Sequence, residues 1–170
     1  MKRLPKYTPA EVRNDPYGFT YKEMSEVIAE NEAKALYEEL YKQLPRKKNL
    51  SMLVKNICKS SDTEKYVYEL KDNKYIETVF IKLRDGGTVC VSTQVGCPVG
   101  CIFCESGRNG FVRNLTSSEI VQQIILLRRK VNRIVFMGMG EPLFNYDNLI
   151  KAIHILRDIY GLNFPTDGIT

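Results

Sequence analysis

Hydrophobic positions change their period twice along the chain, and each change marks a change of predicted structure. Over 1–62 apolar residues recur at helical spacing, with Met24, Val27 and Ile28 in one group and Ala35, Leu36, Leu40 and Leu44 in another, which predicts short helices. A break at 44–49, Leu-Pro-Arg-Lys-Lys-Asn, separates these from a third expected helix over 50–59. On that helix Cys58 lies about one turn from Val54 and reads as a small buried apolar residue. From Lys65 the period shortens to two. Residues 66–70 and 75–83 are β-rich runs separated by Lys71-Asp72-Asn73-Lys74, a hairpin signal, and Asp85-Gly86-Gly87 is a second turn leading into a strand over 88–94. On that strand Val89, Val91 and Thr93 share one face, while Cys90, Ser92 and Gln94 share the other, which puts Cys90 on the polar side.

The helical period then returns. Thr116 and Glu119 form a capping box opening a helix with a buried stripe of Ile120, Val121, Ile124, Ile125 and Leu127 and a basic last turn at Arg128-Arg129-Lys130. A short apolar strand over 133–137, a Gly138-Met139-Gly140 loop and a helix over 146–160 stopped by Gly161 follow. Strand, loop, helix repeated twice predicts an α/β fold with parallel strands and right-handed crossovers. Both chemically rich loops then lie at carboxyl ends of strands, where barrels and open α/β sheets build their sites.

At 170 residues and 44% hydrophobic content the chain can bury a sizeable core. It has no apolar run of about 18 residues and no signal-like start, which points away from membrane insertion and secretion and towards the cytoplasm. In that compartment the five cysteines stay reduced and are candidates for metal ligation or catalysis rather than disulfides. A net charge of +5 suits an anionic partner such as RNA and equally suits ordinary solubility. Arg46-Lys47-Lys48 and Arg128-Arg129-Lys130 have the same two readings.

Cys97, Cys101 and Cys104 add the chemistry. Three thiolates on one short loop can hold three irons of a four-iron four-sulfur cluster and leave the fourth iron open to a small molecule. Phe103 and the glycines at 96, 100 and 107 suit a loop wrapped round such a group. Zinc is the alternative. It would need Cys90 or His154 as a fourth ligand; paired Cys-x2-Cys units are missing, and His154 aligns with Lys151 and Asp158 on the solvated side of its helix. In the second motif, Met137-Gly-Met-Gly-Glu-Pro-Leu-x-Asn145, the glycines admit a ligand to the backbone and Glu141 has the charge to meet an ammonium group.

The cysteine loop resembles that of the radical S-adenosylmethionine superfamily. More narrowly, Cys90-Val-Ser-Thr-Gln-Val-Gly-Cys97, Gly110-Phe-Val-Arg-Asn-Leu115 and Met137 to Asn145 are similar to the RlmN/Cfr family of radical rRNA adenine methyltransferases, with Ser60 to Lys65 and Ile76-Glu77-Thr78-Val79 extending the likeness. It is close over 60–150 and loose before that. The resemblance implies Cys97, Cys101 and Cys104 as cluster ligands and S-adenosylmethionine on the open iron, gripped at the turn of Gly140, Glu141, Pro142 and Asn145. It implies catalytic roles for Glu77, which takes the proton leaving the adenine, and for Cys90, which resolves a protein–RNA adduct by thiol and disulfide chemistry. In that scheme a methylated cysteine near the carboxyl end is the methyl carrier, and the product is methylation of C2 or C8 of an adenine in large-subunit rRNA, with tRNA as a further substrate class. An electron donor such as flavodoxin or ferredoxin is implied as partner. Arg113 reads either as a phosphate contact or as a turn anchor.

The resulting expectation is a helical accessory domain over 1–62 and, over 63–170, a β-hairpin and the amino-terminal part of a partial (βα) barrel, with the third core strand starting at Ile169-Thr170. No cysteine follows Cys104 in these 170 residues, so the chain is expected either to be part of a longer enzyme or to be a truncated form completed by a partner. The alternatives are a non-catalytic iron–sulfur or zinc module and a radical enzyme acting on another substrate.

Overall fold

In the computed structural model, which describes residues 6–42 and 50–170, the expected hairpin forms from β2 (Thr63–Leu70) and β3 (Tyr75–Leu83), with Asn73 left-handed at φ 60°. That conformation is one asparagine tolerates well. With β1 (Met52–Lys59), β4 (Gly86–Cys90) and β7 (Arg133–Val135) they make one sheet in the order β1-β2-β3-β4-β7. Its first three pairings are antiparallel, and β4 pairs β7 in parallel with Cys90 opposite Val135. Ile169 bridges Ile134 in parallel, and Thr170 N–H donates to Ile134 O at 2.9 Å. This is an isolated bridge at the end of the described residues, on the free side of β7. The predicted break at 44–49 lies outside the described residues.

Residues 50–59 are the clearest correction. Met52–Lys59 form the edge strand β1, not a helix, and Cys58 is exposed rather than buried. A segment of ten residues is too short to support itself as a helix, whereas the open side of β2 offers it a row of backbone partners. Upstream, α1 (Pro9–Asn14), α2 (Tyr21–Ser25) and α3 (Glu30–Lys42) do form, the first two behind capping boxes at Thr8 and Thr20. The buried face of α3 is Ala33, Tyr37 and Leu40, so Ala35 faces solvent.

A single apolar core joins these helices to the sheet. Asp158 ties the two parts, accepting from Tyr21 N–H at 2.8 Å and from the Tyr37 hydroxyl at 3.1 Å. The capping box at Thr116 opens α4 (Ser117–Leu127) as predicted, and this helix lies on the inner face of the sheet, where the Tyr68 hydroxyl reaches Gln123 O. Fully buried Ile120 and Val121 contribute roughly 2 kcal/mol each by transfer from water. Arg128 then turns left-handed at φ 52°, so the basic triplet follows the helix instead of forming its last turn. Arg129 goes to Glu64 at 2.9 Å and Lys130 to Asp85 at 2.7 Å, which absorbs two of the three charges into the fold. After β7 the chain enters α5 (Tyr146–Arg157), capped at Asp158 before Gly161 is reached.

Candidate active site

The parallel pair β4 and β7 ends in the two motif loops. β4 stops at Cys90 rather than running to 94, residues 91–93 belong to no strand, and β5 (Gln94–Gly96) then pairs with β6 (Phe111–Asn114) in a second small sheet. Ser92 and Gln94 are buried, not on a polar outer side with Cys90. Other side chains draw them in. Gln123 of α4 accepts from Ser92 N–H at 2.8 Å and donates to Ser92 O at 2.9 Å, while Gln94 accepts from Glu141 N–H at 2.9 Å and donates to Asn114 at 2.8 Å.

Gly96 and Gly110 pinch the base of the cysteine loop. Gly96 has φ +73°, a Cβ there would sit 2.0 Å from Gly110 O, and Cys97 N–H donates to that same oxygen at 3.2 Å. Only glycine fits. Within the loop Cys104 N–H donates to Cys101 O at 3.0 Å, closing a turn around two of the thiols. Cys101 is exposed, Cys97 and Cys104 are half-buried, and all three thiols are free. Phe103 is 89% exposed. Among the described residues, no three His, Cys, Asp or Glu side chains stand close enough together to hold a metal ion. The three thiols share a loop without being gathered. His154 is exposed on α5 and lines a separate groove with Tyr7 and Lys151.

The second motif loop is fastened to the residues after β4. Gly138 N–H donates to Val91 O, Thr93 N–H to Met139 O, and Met139 N–H to the Ser92 hydroxyl at 2.9 Å. Gly140, at φ +101°, lies where a Cβ would come within 2.6 Å of the Gln94 side chain. Glu141 caps the single turn that begins at Pro142, one carboxylate oxygen accepting from Leu143 N–H at 3.3 Å. Its other oxygen has no protein partner among the described residues. Asn145 differs from the expectation of a cofactor contact: it is buried, and its amide hydrogens go to Thr93 O and Leu115 O, both at 2.7 Å. It braces the turn from behind.

Glu77 on β3 and Met139 of this turn line one cavity of about 390 Å³, together with Val67, Gly96, and Ser106 and Asn109 of the cysteine loop. Three segments distant in sequence thus meet. The Glu77 carboxylate pairs with Lys65 at 3.0 Å while both remain partly exposed. Cys90 is half-buried, and burial pushes its thiol pKa up, opposed by a hydrogen bond from the Met137 backbone. Arg113 is a turn anchor, held by Asp72 and Glu119. Sequence reasoning missed Gln94, Ser92 and Gln123. The available signal was Gln122-Gln123, two amides inside the buried stripe of α4.

The family model described as "Radical SAM superfamily" matches residues 91–170. A "Probable RNA methyltransferase" of Rhodopseudomonas palustris (strain BisB5) is 56% identical over 108 residues, covering 64% of this chain and 30% of that protein. A "Probable dual-specificity RNA methyltransferase RlmN" of Pseudothermotoga lettingae is 42% identical over 156 residues, covering 89% of this chain and 44% of that one. The crystal structure of a radical SAM methyltransferase from Sphaerobacter thermophilus superposes with a TM-score of 0.84 at 31% identity, over 91% of this chain and 55% of that one. The α/β fold is thus consistent with a partial radical-SAM fold, and residues 91–170 carry the match to the radical SAM superfamily. The chain is similar to the N-terminal part of curated relatives named as RlmN RNA methyltransferases. It spans between 30% and 44% of the length of the two curated relatives described.

Proposed function

We propose that this chain is the cluster-bearing and S-adenosylmethionine-binding portion of an RNA methyltransferase that modifies a ring carbon, C2 or C8, of an adenine in large-subunit rRNA, with tRNA as a second substrate. The observation that supports the proposal is the shared cavity, where Glu77, residues 105–110 of the cysteine loop and Met139 of the second motif turn meet although they are far apart in sequence.

The residues fit a four-iron four-sulfur cluster with S-adenosylmethionine on its open iron. Three free thiols of one exposed loop are the right soft donors, and Gly100, at φ +66° with nothing within 4 Å of where a Cβ would stand, leaves room beside them. Cys97, Cys101 and Cys104 would hold the cluster, and Gly140, Glu141 and Pro142 the amino end of S-adenosylmethionine. When bound, the pair supplies a one-electron cleavage that generates a hydrogen-abstracting species. Glu141 meets the ligand ammonium with its unpartnered oxygen while its first oxygen fixes the turn. Glu77, on the cavity wall and paired with Lys65, accepts the proton leaving the adenine carbon. Cys90 stays a thiol until a base acts on it, which suits a group used late in a reaction.

Residues 105–170 contain no cysteine to serve as the methyl carrier of the scheme, and the electron donor, a flavodoxin or ferredoxin, acts from outside. Among the described residues no helix is long and apolar enough to cross a membrane, and rRNA as substrate implies the cytoplasm. Anaerobic reconstitution tests the proposal. The expected result is a brown protein with about four irons per chain that cleaves S-adenosylmethionine to deoxyadenosine and, alone, makes no methyladenine. A colourless chain carrying one zinc favours the metal-module reading and overturns it.

A further inference from the structure

The buried Ser92 hydroxyl bridges two segments. It donates to Glu77 O at 2.5 Å and accepts Met139 N–H at 2.9 Å, linking the strand of the proposed base to the turn of the proposed cofactor grip. The backbone of Ser92 is held in turn by Gln123, whose carboxamide makes bonds to both Ser92 N–H and Ser92 O. Thr78 on β3 donates to the same Gln123 oxygen at 2.7 Å. Ser92, Thr78 and Gln123 are fully buried, and the polar side-chain atoms of all three have partners.

A buried polar network of this kind is costly unless complete, and when complete it fixes one arrangement rather than adding much stability. An ordinary ladder could have continued β4 past Cys90. Through Val91 and Thr93 backbone bonds do continue towards residues 135–139, but both backbone groups of Ser92 between them go to the Gln123 side chain. Gly138 closes the fit, since a Cβ there would lie 2.8 Å from both the nitrogen and the hydroxyl oxygen of Ser92. The turn has no room to slide along the strand.

We infer that Ser92, locked by Gln123, is a positioning residue that sets the Met139-Gly140-Glu141 turn against the Glu77 strand and thereby sets the affinity for S-adenosylmethionine, an inference resting on the cofactor role proposed above for Gly140 and Glu141. The test compares Ser92→Thr and Ser92→Val, which have the same shape and differ in the hydroxyl, with Ser92→Ala as the variant that adds no volume. Hydrogen exchange at the Met139 amide is read in the iron-free chain, and S-adenosylmethionine affinity by anaerobic calorimetry in the iron-loaded chain. Loss of one backbone-to-hydroxyl bond predicts about tenfold faster Met139 exchange in the Val and Ala variants, and about tenfold weaker binding at unchanged iron content. The Thr variant is expected to stay near wild type on both.

Equal Met139 protection in the Thr and Val variants would reduce Ser92 to a space-filler and overturn the inference. Equal affinity in those two variants would overturn its link to the cofactor. If the wild-type iron-loaded chain binds no S-adenosylmethionine, the cofactor reading falls instead, and the exchange comparison alone decides whether Ser92 positions the turn. If either larger variant does not fold, the same comparison is made between Ser92→Ala and wild type.

Discussion

Arg113 and Glu119 are joined by two parallel hydrogen bonds, Nη1 to Oε2 at 2.8 Å and Nη2 to Oε1 at 2.9 Å. The same carboxylate accepts Thr116 N–H at 2.9 Å in the capping box of α4, and the Arg113 Nε donates to Asp72 at 2.7 Å in the β2–β3 turn. One guanidinium therefore ties the far side of the cysteine loop to a helix start and to the hairpin. Its donors are committed to protein, which decides between the phosphate and anchor readings.

Because the Glu119 side chain is only 7% exposed, removing its partner leaves a nearly buried charge. Arg113→Met is expected to lower stability by about 2 kcal/mol, a value discounted for the partial exposure of the arginine, and Arg113→Lys to recover less than half of that, since an ammonium cannot make the fork. Urea unfolding followed by circular dichroism measures both; an unchanged midpoint in Arg113→Met would contradict the anchor role.

Glu64 predicts a pH dependence. Its carboxyl is held below the ordinary value of 4.5 chiefly by the Tyr66 hydroxyl, with Arg129 and Lys82 adding to it against the opposing effect of burial. A pKa lowered by folding contributes stability that is complete above the unfolded value and is lost as pH falls through the folded one. Glu64→Gln should therefore be less stable than wild type near neutral pH, and the gap should narrow from about pH 5 downwards. Thermal midpoints across that range check it. A gap that stays constant would rule out Glu64 as the source.

Two glycines of the cysteine loop should respond differently to alanine. Both have positive φ, +73° at Gly96 and +66° at Gly100, but a Cβ at Gly96 meets Gly110 O at 2.0 Å whereas one at Gly100 meets nothing within 4 Å. Gly100→Ala is expected to cost about 1 kcal/mol, from the backbone conformation alone. Gly96→Ala should cost clearly more and open the base of the loop, read as faster exchange of the Cys97 amide. Equal costs would mean that the pinch is not tight.

The cysteines should alkylate in a set order. At about pH 8 the exposed Cys58 and Cys101 are expected to react with iodoacetamide well before Cys90, whose thiol is half-buried with a raised pKa. Peptide mass spectrometry of timed samples measures this. Cys90 labelling as fast as Cys58 would contradict the burial argument.

Much of the candidate site was legible because local chemistry carries it. The spacing of Cys97, Cys101 and Cys104, the glycines at 138 and 140 and the carboxylate of Glu141 are short-range features, and each lies in the loop predicted for it. The hairpin at Asn73 and the capping box at Thr116 were equally local. Asn145 was legible only as part of a motif: nothing in the sequence shows that its amide is consumed by Thr93 O and Leu115 O. For 50–59 the sequence reading was a helix, and the free edge of β2, a tertiary fact, made a strand of it instead.

What the sequence determined by itself was the donor set and the order of elements, because ligand spacing, turn residues and hydrophobic period act over a few neighbours. The tertiary structure decided which distant groups meet. Glu77 reaches the cavity because β3 pairs β4 in a particular register, and Ser92 turns inward because Gln123, 31 residues further on, replaces its ladder partners. Such choices depend on long-range packing and on the satisfaction of buried polar groups, neither of which a local pattern encodes.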